Sequence, residues 1–288
     1  MDSSAIELRI DPRRRPVGST TVRRLLPFRT RCMVGPFTFA DLIGPEELAD
    51  ETSPGIDAHP HIGLATVTYL FDGRMVHRDS TGAIATITPG DVNWMTAGSG
   101  VTHTERAHPD DVNVQRPLHG LQTWVALPHD SEETGPSFEH AGRADLPTDW
   151  IGRSHIRLAV GTGWGMESPV RGSSPLVLAE VRLDDDSPVP ISTTHAEIGV
   201  ISVHGDITVN GGRIDPGQLA VLDTTRALTI AGSGIAVVLG GDPVGERFMF
   251  WNFVHSDRDR IERAKHDWQA QRFPTVPDDH DPYVPLPS

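Results

Sequence analysis

The sequence predicts an all-β protein of two tandem barrels of jelly-roll type, closed by a short C-terminal helix. Three observations carry this reading. Short β-branched runs recur along the chain, turn signals separate them, and a set of features returns in the same order in each half. The length of 288 residues fits, since one domain takes ~150 residues. With 28 Gly and 24 Pro the chain is turn-rich, which excludes long helical bundles.

The candidate strands are Thr66–Phe71, Ala83–Thr88, Leu121–Leu127, Ile156–Val160, Leu176–Leu183, Ile198–Val203, Leu219–Leu222, Ala227–Ile230 and Ile235–Leu239. Turns are expected at Asp72-Gly73, Pro89-Gly90, Gly161–Gly165, His204-Gly205-Asp206, Asn210-Gly211-Gly212 and Pro216-Gly217. The stretch Ser131–Trp150 is polar, interrupted by Pro136 and Pro147, and reads as a connector. His61 and His195 each precede a β-rich run, a glycine turn and a Pro-Gly pair, and Ala-Gly-Ser-Gly occurs at 97–100 and 231–234. Near the C-terminus Ser256 is placed to cap a helix on which Ile261, Ala264 and Trp268 share one face. Pro274 ends it and opens a tail, Pro274–Ser288, with five prolines.

The net charge of −14 argues against general affinity for nucleic acid or anionic membranes. Eight of the arginines crowd into residues 1–31, which reads as a basic arm lying on an acidic body. No apolar run approaches the ~20 residues of a membrane-spanning helix, and no export signal is seen, so the cytoplasm is the expected location. A single cysteine, Cys32, excludes disulfide frameworks and thiolate metal sites; it reads as a small buried apolar residue.

Histidine is abundant, 14 in all, and two pairs are placed for chemistry. In extended chain, residues i and i+2 share a face. His59-Pro60-His61 can thus present two imidazoles together, and His103-Thr104-Glu105 an imidazole and a carboxylate. On neighbouring walls of one barrel, these four would suit Fe, Mn, Co, Ni, Cu or Zn and leave open positions on an octahedral ion. His77 and Asp79 can shape a turn or orient ligands. Trp94 and Met95 can pack in the core or line a pocket mouth. Gln122 can pair across a strand or donate to a bound oxygen. His119 reads as structural. There is no G-x-G-x-x-G before a helix, no P-loop and no G-x-S-x-G.

The block from His59-Pro60-His61-Ile62-Gly63-Leu64 through His77-Arg78-Asp79-Ser80, Gly90-Asp91-Val92-Asn93-Trp94-Met95-Thr96-Ala97-Gly98-Ser99-Gly100-Val101-Thr102-His103-Thr104-Glu105 and His119-Gly120-Leu121-Gln122-Thr123-Trp124 closely resembles the pirin family. Gly35-Pro36-Phe37 and Gly240-Gly241-Asp242-Pro243 extend the resemblance over roughly residues 20–273. It implies two tandem double-stranded β-helix (cupin) domains. The expected layout is a basic arm at 1–20, a metal-binding cupin at 21–145, a cupin without metal at 146–255, and a helix with a Pro-rich tail at 256–288. The ligands would be His59, His61, His103 and Glu105, around one divalent transition metal, Fe(II) first, with Mn, Co, Ni, Cu or Zn as alternatives.

The activity implied by the resemblance is that of a dioxygenase on a flavonol or related enol or phenol, of quercetin 2,3-dioxygenase type. Glu105 would be ligand and base together. The alternative is a non-catalytic, metal-dependent regulator that binds a transcription factor or metabolic enzyme. Partners are therefore a small aromatic substrate or a protein, with no membrane role and nucleic acid disfavoured. A sugar- or acid-isomerising cupin would want a basic pocket, and the only lysine, Lys265, lies far from the motifs. Three positions depart from the family pattern: Ile62 for a frequent Arg, Ala65 for an acidic residue and Asn93 for Gln. They suggest a more apolar pocket.

Overall fold

The computed structural model describes residues 5–18, 20–48, 55–111, 116–184, 187–192 and 194–287. Residues 1–4 of the basic arm and residue 288 of the tail lie outside them. The architecture is mostly β, of two-domain cupin type, with one α-helix among the described residues, Arg258–Gln269. The chain forms two compact units, each gathered from separated segments. One comprises Met1–Arg13, Arg23–Leu42 and Ala141–Pro243; the other comprises Arg14–Val22, Ile43–His140 and Val244–Ser288. No helix of the described residues is long and apolar enough to cross a membrane.

The first unit is built on a sheet ordered Ile6–Ile10, Leu219–Leu222, Glu197–Val209, Thr229–Gly241, Leu176–Leu183, Ser154–Gly163, Thr148–Ile151. Its core obeys the period of two expected of a strand: Ile156 and Leu158, Val177, Ala179 and Val181, Ile198 and Val200, Ala236 and Val238 all pack into one cluster. A bulge between Ser202 and His204 then switches the buried parity to Ile207 and Val209.

That bulge corrects two sequence expectations. His204-Gly205-Asp206 is no turn; it lies inside the strand Glu197–Val209. Likewise Ala227–Ile230 and Ile235–Leu239 are not two strands, because Thr229–Gly241 runs through Ala-Gly-Ser-Gly unbroken. The glycines allow two backbones to approach closely. A Cβ on Gly205 would lie 2.1 Å from the Ser233 carbonyl oxygen, and one on Gly232 would lie 1.8 Å from that of Asp206. The same tetrapeptide at 97–100 is a turn, so its recurrence does not mark equivalent structure.

Ser131–Trp150 is also more than a connector. Ser137–Ala141 pairs at the edge beside Val92–Thr96, and Thr148–Ile151 at the edge beside Ser154–Gly163. In the arginine-rich arm, Ile6–Ile10 pairs antiparallel with Leu219–Leu222, Arg24 holds Asp41 through two hydrogen bonds, and Arg31 reaches Glu197 at 3.0 Å. Cys32 is exposed rather than buried.

The second unit contains two sheets. One orders Gly55–His61, Val101–Ala107, Met75–Asp79, Ile84–Ile87; the other orders Ser137–Ala141, Val92–Thr96, Leu64–Asp72, Arg116–Ala126. The helix buries Ile261, Ala264 and Trp268, as its periodicity predicts, against Ile62, Phe253 and Phe273. Removing Ile62 and Ile261 from water contributes about 2 kcal/mol each. The cap is Asp257, whose side chain accepts from the Asp259 N–H, not Ser256. The Ser256 hydroxyl is already engaged: it donates to the buried Glu132 carboxylate, which also accepts the Ser256 N–H.

Candidate metal centre

Antiparallel register brings the two histidine pairs together. On the strands Gly55–His61 and Val101–Ala107, His103 sits directly opposite His59 and Val101 opposite His61. One nitrogen from each of His59, His61 and His103 lies within 4.8 Å of the others, and all three residues are buried. This is the one such cluster of three or more possible ligands among the described residues.

The hydrogen-bond partners fix which nitrogens converge. His59 Nδ1 lies 2.7 Å from the Asp57 carbonyl oxygen, and His61 Nδ1 lies 3.1 Å from that of Asn252. A carbonyl only accepts, so both rings carry the proton on Nδ1 and keep a lone pair on Nε2. His103 Nδ1 lies 3.4 Å from His77 Nδ1, and His77 Nε2 donates to Asp79 Oδ2 at 3.0 Å, so a chain of polar contacts backs the His103 ring on its Nδ1 side. Asp79 is anchored in turn by Thr81 and Ala83, whose N–H groups donate to its Oδ1. His77 and Asp79 therefore both shape the turn and orient a candidate ligand, and Phe138 stacks on the His77 ring at 4.4 Å.

His61 Nε2 and His103 Nε2 lie 3.2 Å apart in the buried site. With the proton of each ring on Nδ1, both lone pairs face the space that a cation would fill. Burial also keeps the rings neutral. It lowers His59 to about 4 and holds His61 and His103 well below the ordinary histidine value, the neighbouring histidines adding to the effect. Neutral, preoriented imidazoles in a site without thiolates fit a first-row divalent metal.

Glu105 is not part of the three-nitrogen cluster. It occupies the same face of its strand as His103, two residues on, but its Oε1 accepts from Gln122 Nε2 at 2.6 Å and from Thr68 Oγ1 at 3.4 Å. Burial raises its pKa above the ordinary carboxylate value, and the Gln122 bond pulls partly the other way. Gln122 thus bonds the carboxylate across the barrel.

Strand alternation also identifies the facing wall. Thr66 pairs with Met95 and Trp124, and Thr68 with Asn93 and Gln122, so these six share the face that carries Thr68 to Glu105. Trp124 meets the His61 ring edge-on at 5.1 Å. Trp94 points the other way into the core, and its indole N–H donates to Thr96. The departures at Ile62 and Ala65 do not make the site more apolar. Ile62 faces the helix cluster and Ala65 the opposite side of its strand. Asn93 faces inward, with its Oδ1 accepting from His140 Nδ1 at 2.7 Å. His119 packs on Phe71.

In the first unit, His195 Nε2 lies 3.3 Å from the Thr162 carbonyl oxygen, while Glu197 accepts from the Gly35 N–H and pairs with Arg31. Thr68, Asp57 and Asn252 were not singled out from sequence. The two carbonyls leave no side-chain signal at all, and Asn252 lies 191 residues from the histidine it orients.

Comparison with known proteins identifies the family. Residues 19–125 match the Pirin family model, and residues 178–274 match the Pirin C-terminal cupin domain. The chain belongs to the pirin family. A pirin-like protein of Caulobacter vibrioides is 42% identical over 98% of this chain and 99% of its own length. The crystal structure of a quercetin 2,3-dioxygenase from Acinetobacter baumannii superposes with a TM-score of 0.90 at 31% identity, covering 98% of this chain and 95% of that one. A bacterial pirin from Escherichia coli, solved in complex with nickel(II), shares the fold at a TM-score of 0.62 and 18% identity, covering 82% of this chain and 99% of that one.

Proposed function

We propose that this pirin-family protein is a metal-dependent dioxygenase of quercetin 2,3-dioxygenase type, acting on a flavonol or related enol or phenol. One divalent transition metal would be held by His59, His61 and His103, with Glu105 as fourth ligand and base. The observation that carries the reading is the convergence of three neutral imidazole nitrogens beside a buried carboxylate. The resemblance to the Acinetobacter dioxygenase supports the substrate class.

A metal bound there supplies Lewis-acid stabilisation of the substrate oxyanion and open coordination positions. The remaining work falls to the chain. Glu105 takes the proton of the substrate hydroxyl at a carboxylate oxygen, and its burial makes it a stronger base than an exposed carboxylate. Gln122 and Thr68 hold Oε1, which fixes the carboxylate plane during the transfer. Trp124 and Met95 offer an apolar wall for a flat ring and keep water from the centre.

Two measurements test this. Metal content is compared between wild type and His59→Ala, His103→Ala and Glu105→Ala; stoichiometric metal in all three variants would remove the site. Flavonol absorbance is followed aerobically with Fe-, Mn-, Co-, Ni- and Cu-loaded protein. Loss of absorbance is expected with at least one metal, and no loss with any would remove this substrate.

A further inference from the structure

The strand Gly55–His61 lies at the edge of its sheet, with Val101–Ala107 as its neighbour. An edge strand leaves backbone donors and acceptors to be satisfied elsewhere. Here the tail after Pro274 supplies partners beside a candidate ligand. The Ala58 N–H donates to the Pro282 carbonyl at 3.3 Å, and the Val284 N–H donates to the Ala58 carbonyl at 2.9 Å. The Trp268 indole N–H donates to the Val284 carbonyl, which ties the tail to the helix.

The tail also grips the second ligand strand on its outer face. Asp279 accepts from the Thr104 hydroxyl at 2.7 Å and from Arg106 Nη2 at 2.9 Å. Thr104 and Arg106 alternate with His103 and Glu105, so they point away from the centre. Arg106 continues the path, its Nη1 donating to Asp57 Oδ1 at 2.6 Å. Asp57 is the residue whose carbonyl oxygen accepts the His59 Nδ1–H. A continuous route thus runs from Asp279 through Arg106 and Asp57 to the ring of His59, while Asp279 also holds Thr104, the residue after His103.

We propose that the C-terminal tail is a working part of the metal centre, with Asp279 and Arg106 as positioning residues that set the His59 ring and hold the two ligand strands in register. This rests on the metal reading above. Loss of either residue leaves all three histidines in place but frees the Asp57 peptide to turn. The fixed Nε2 direction is then lost, and groups that orient ligands in this way typically change metal affinity ~10- to 100-fold.

The test is titration of full-length apo-protein with nickel(II), a redox-stable divalent ion, at a temperature where circular dichroism shows each variant folded. Asp279→Asn and Arg106→Gln are expected to weaken the dissociation constant about tenfold or more. Because both act on one path, the double variant should bind no more than about threefold worse than the weaker single variant. Thr104→Val, which keeps the shape and removes one of the bonds to Asp279, should weaken binding by a smaller factor. Glu262→Gln, on the exposed side of the helix, should bind like wild type. If wild type takes up no nickel(II), the metal reading itself falls. If wild type binds while Asp279→Asn and Arg106→Gln stay within twofold of it, the tail proposal is overturned and the metal site stands. Fully additive losses in the double variant would overturn the shared path.

Discussion

Substituting Gly63 by alanine tests the backbone geometry that follows the first ligand pair. Gly63 has φ +67°, and a Cβ there would lie 1.9 Å from the Val254 carbonyl oxygen, where real Cβ atoms stay beyond 3.0 Å. An L-residue in the left-handed region costs about 1–2 kcal/mol. Relieving the clash requires the packed backbone to move by roughly 1 Å, which adds about 1–3 kcal/mol. Gly82 provides the matched control. It has φ +92° and nothing within 4 Å of its would-be Cβ, so Gly82→Ala carries conformational strain alone. At ~2–4 °C per kcal/mol, Gly63→Ala should lower the first thermal transition by about 10 °C and Gly82→Ala by about 4 °C. The Gly63 N–H donates to the Gly98 carbonyl and its own carbonyl accepts from Leu127, two residues beyond His61. Gly63→Ala should therefore also weaken metal binding. Differential scanning calorimetry of the two apo-variants decides the matter: a Gly63→Ala melt no lower than that of Gly82→Ala would refute the clash and the geometry behind it.

Three further outcomes are expected. Gln122→Leu removes a 2.6 Å bond to the buried Glu105 carboxylate; it should cost about 1.5–3 kcal/mol and move the Glu105 carboxyl further upward, read by carboxyl carbon NMR against pH. Trp268→Ala opens the cluster around Ile62 and should cost about 3–5 kcal/mol in urea denaturation. Burial pushes the Asp279 carboxyl up, but the bonds from Arg106 and Thr104 outweigh it and hold the group below its ordinary value. The unfolded chain then protonates first as pH falls. The stability that Asp279 contributes is complete at neutral pH and fades as pH drops through the folded value, so the melting-point deficit of Asp279→Asn at pH 7 should shrink as pH falls below the ordinary carboxylate value.

The histidine pairs were legible because i and i+2 share a face and antiparallel pairing can set two such pairs side by side. His59, His61 and His103 meet on that rule alone. The rule gives a face, not a rotamer, which is why it could not say that Glu105 turns toward Gln122 and Thr68. Nor does composition distinguish a turn glycine from one that lets backbones touch, as Gly205 and Gly232 do. Ile62 and Ala65 misled for a related reason: closeness in sequence to the ligands suggested the pocket, while alternation sends both side chains away from it. Ser256 looked like the cap because the sequence does not reveal that Glu132, 124 residues earlier, binds its hydroxyl.

The interleaved composition of the two units bears on how the protein can be made. The unit that carries the histidines is complete only once residues after Pro243 are present, since the partners of Ile62 are Phe253, the helix and Phe273. On the ribosome, roughly a hundred residues belonging to the other unit, Ala141–Pro243, emerge between the ligand strands and the segment that closes them. At ~5–20 residues per second that is an interval of about 5–20 s in which the histidine-bearing unit lacks its helix and His61 lacks the Asn252 carbonyl. Metal delivered during that interval would meet an incompletely oriented set of ligands, and a chain cut near residue 140 would never pass beyond it.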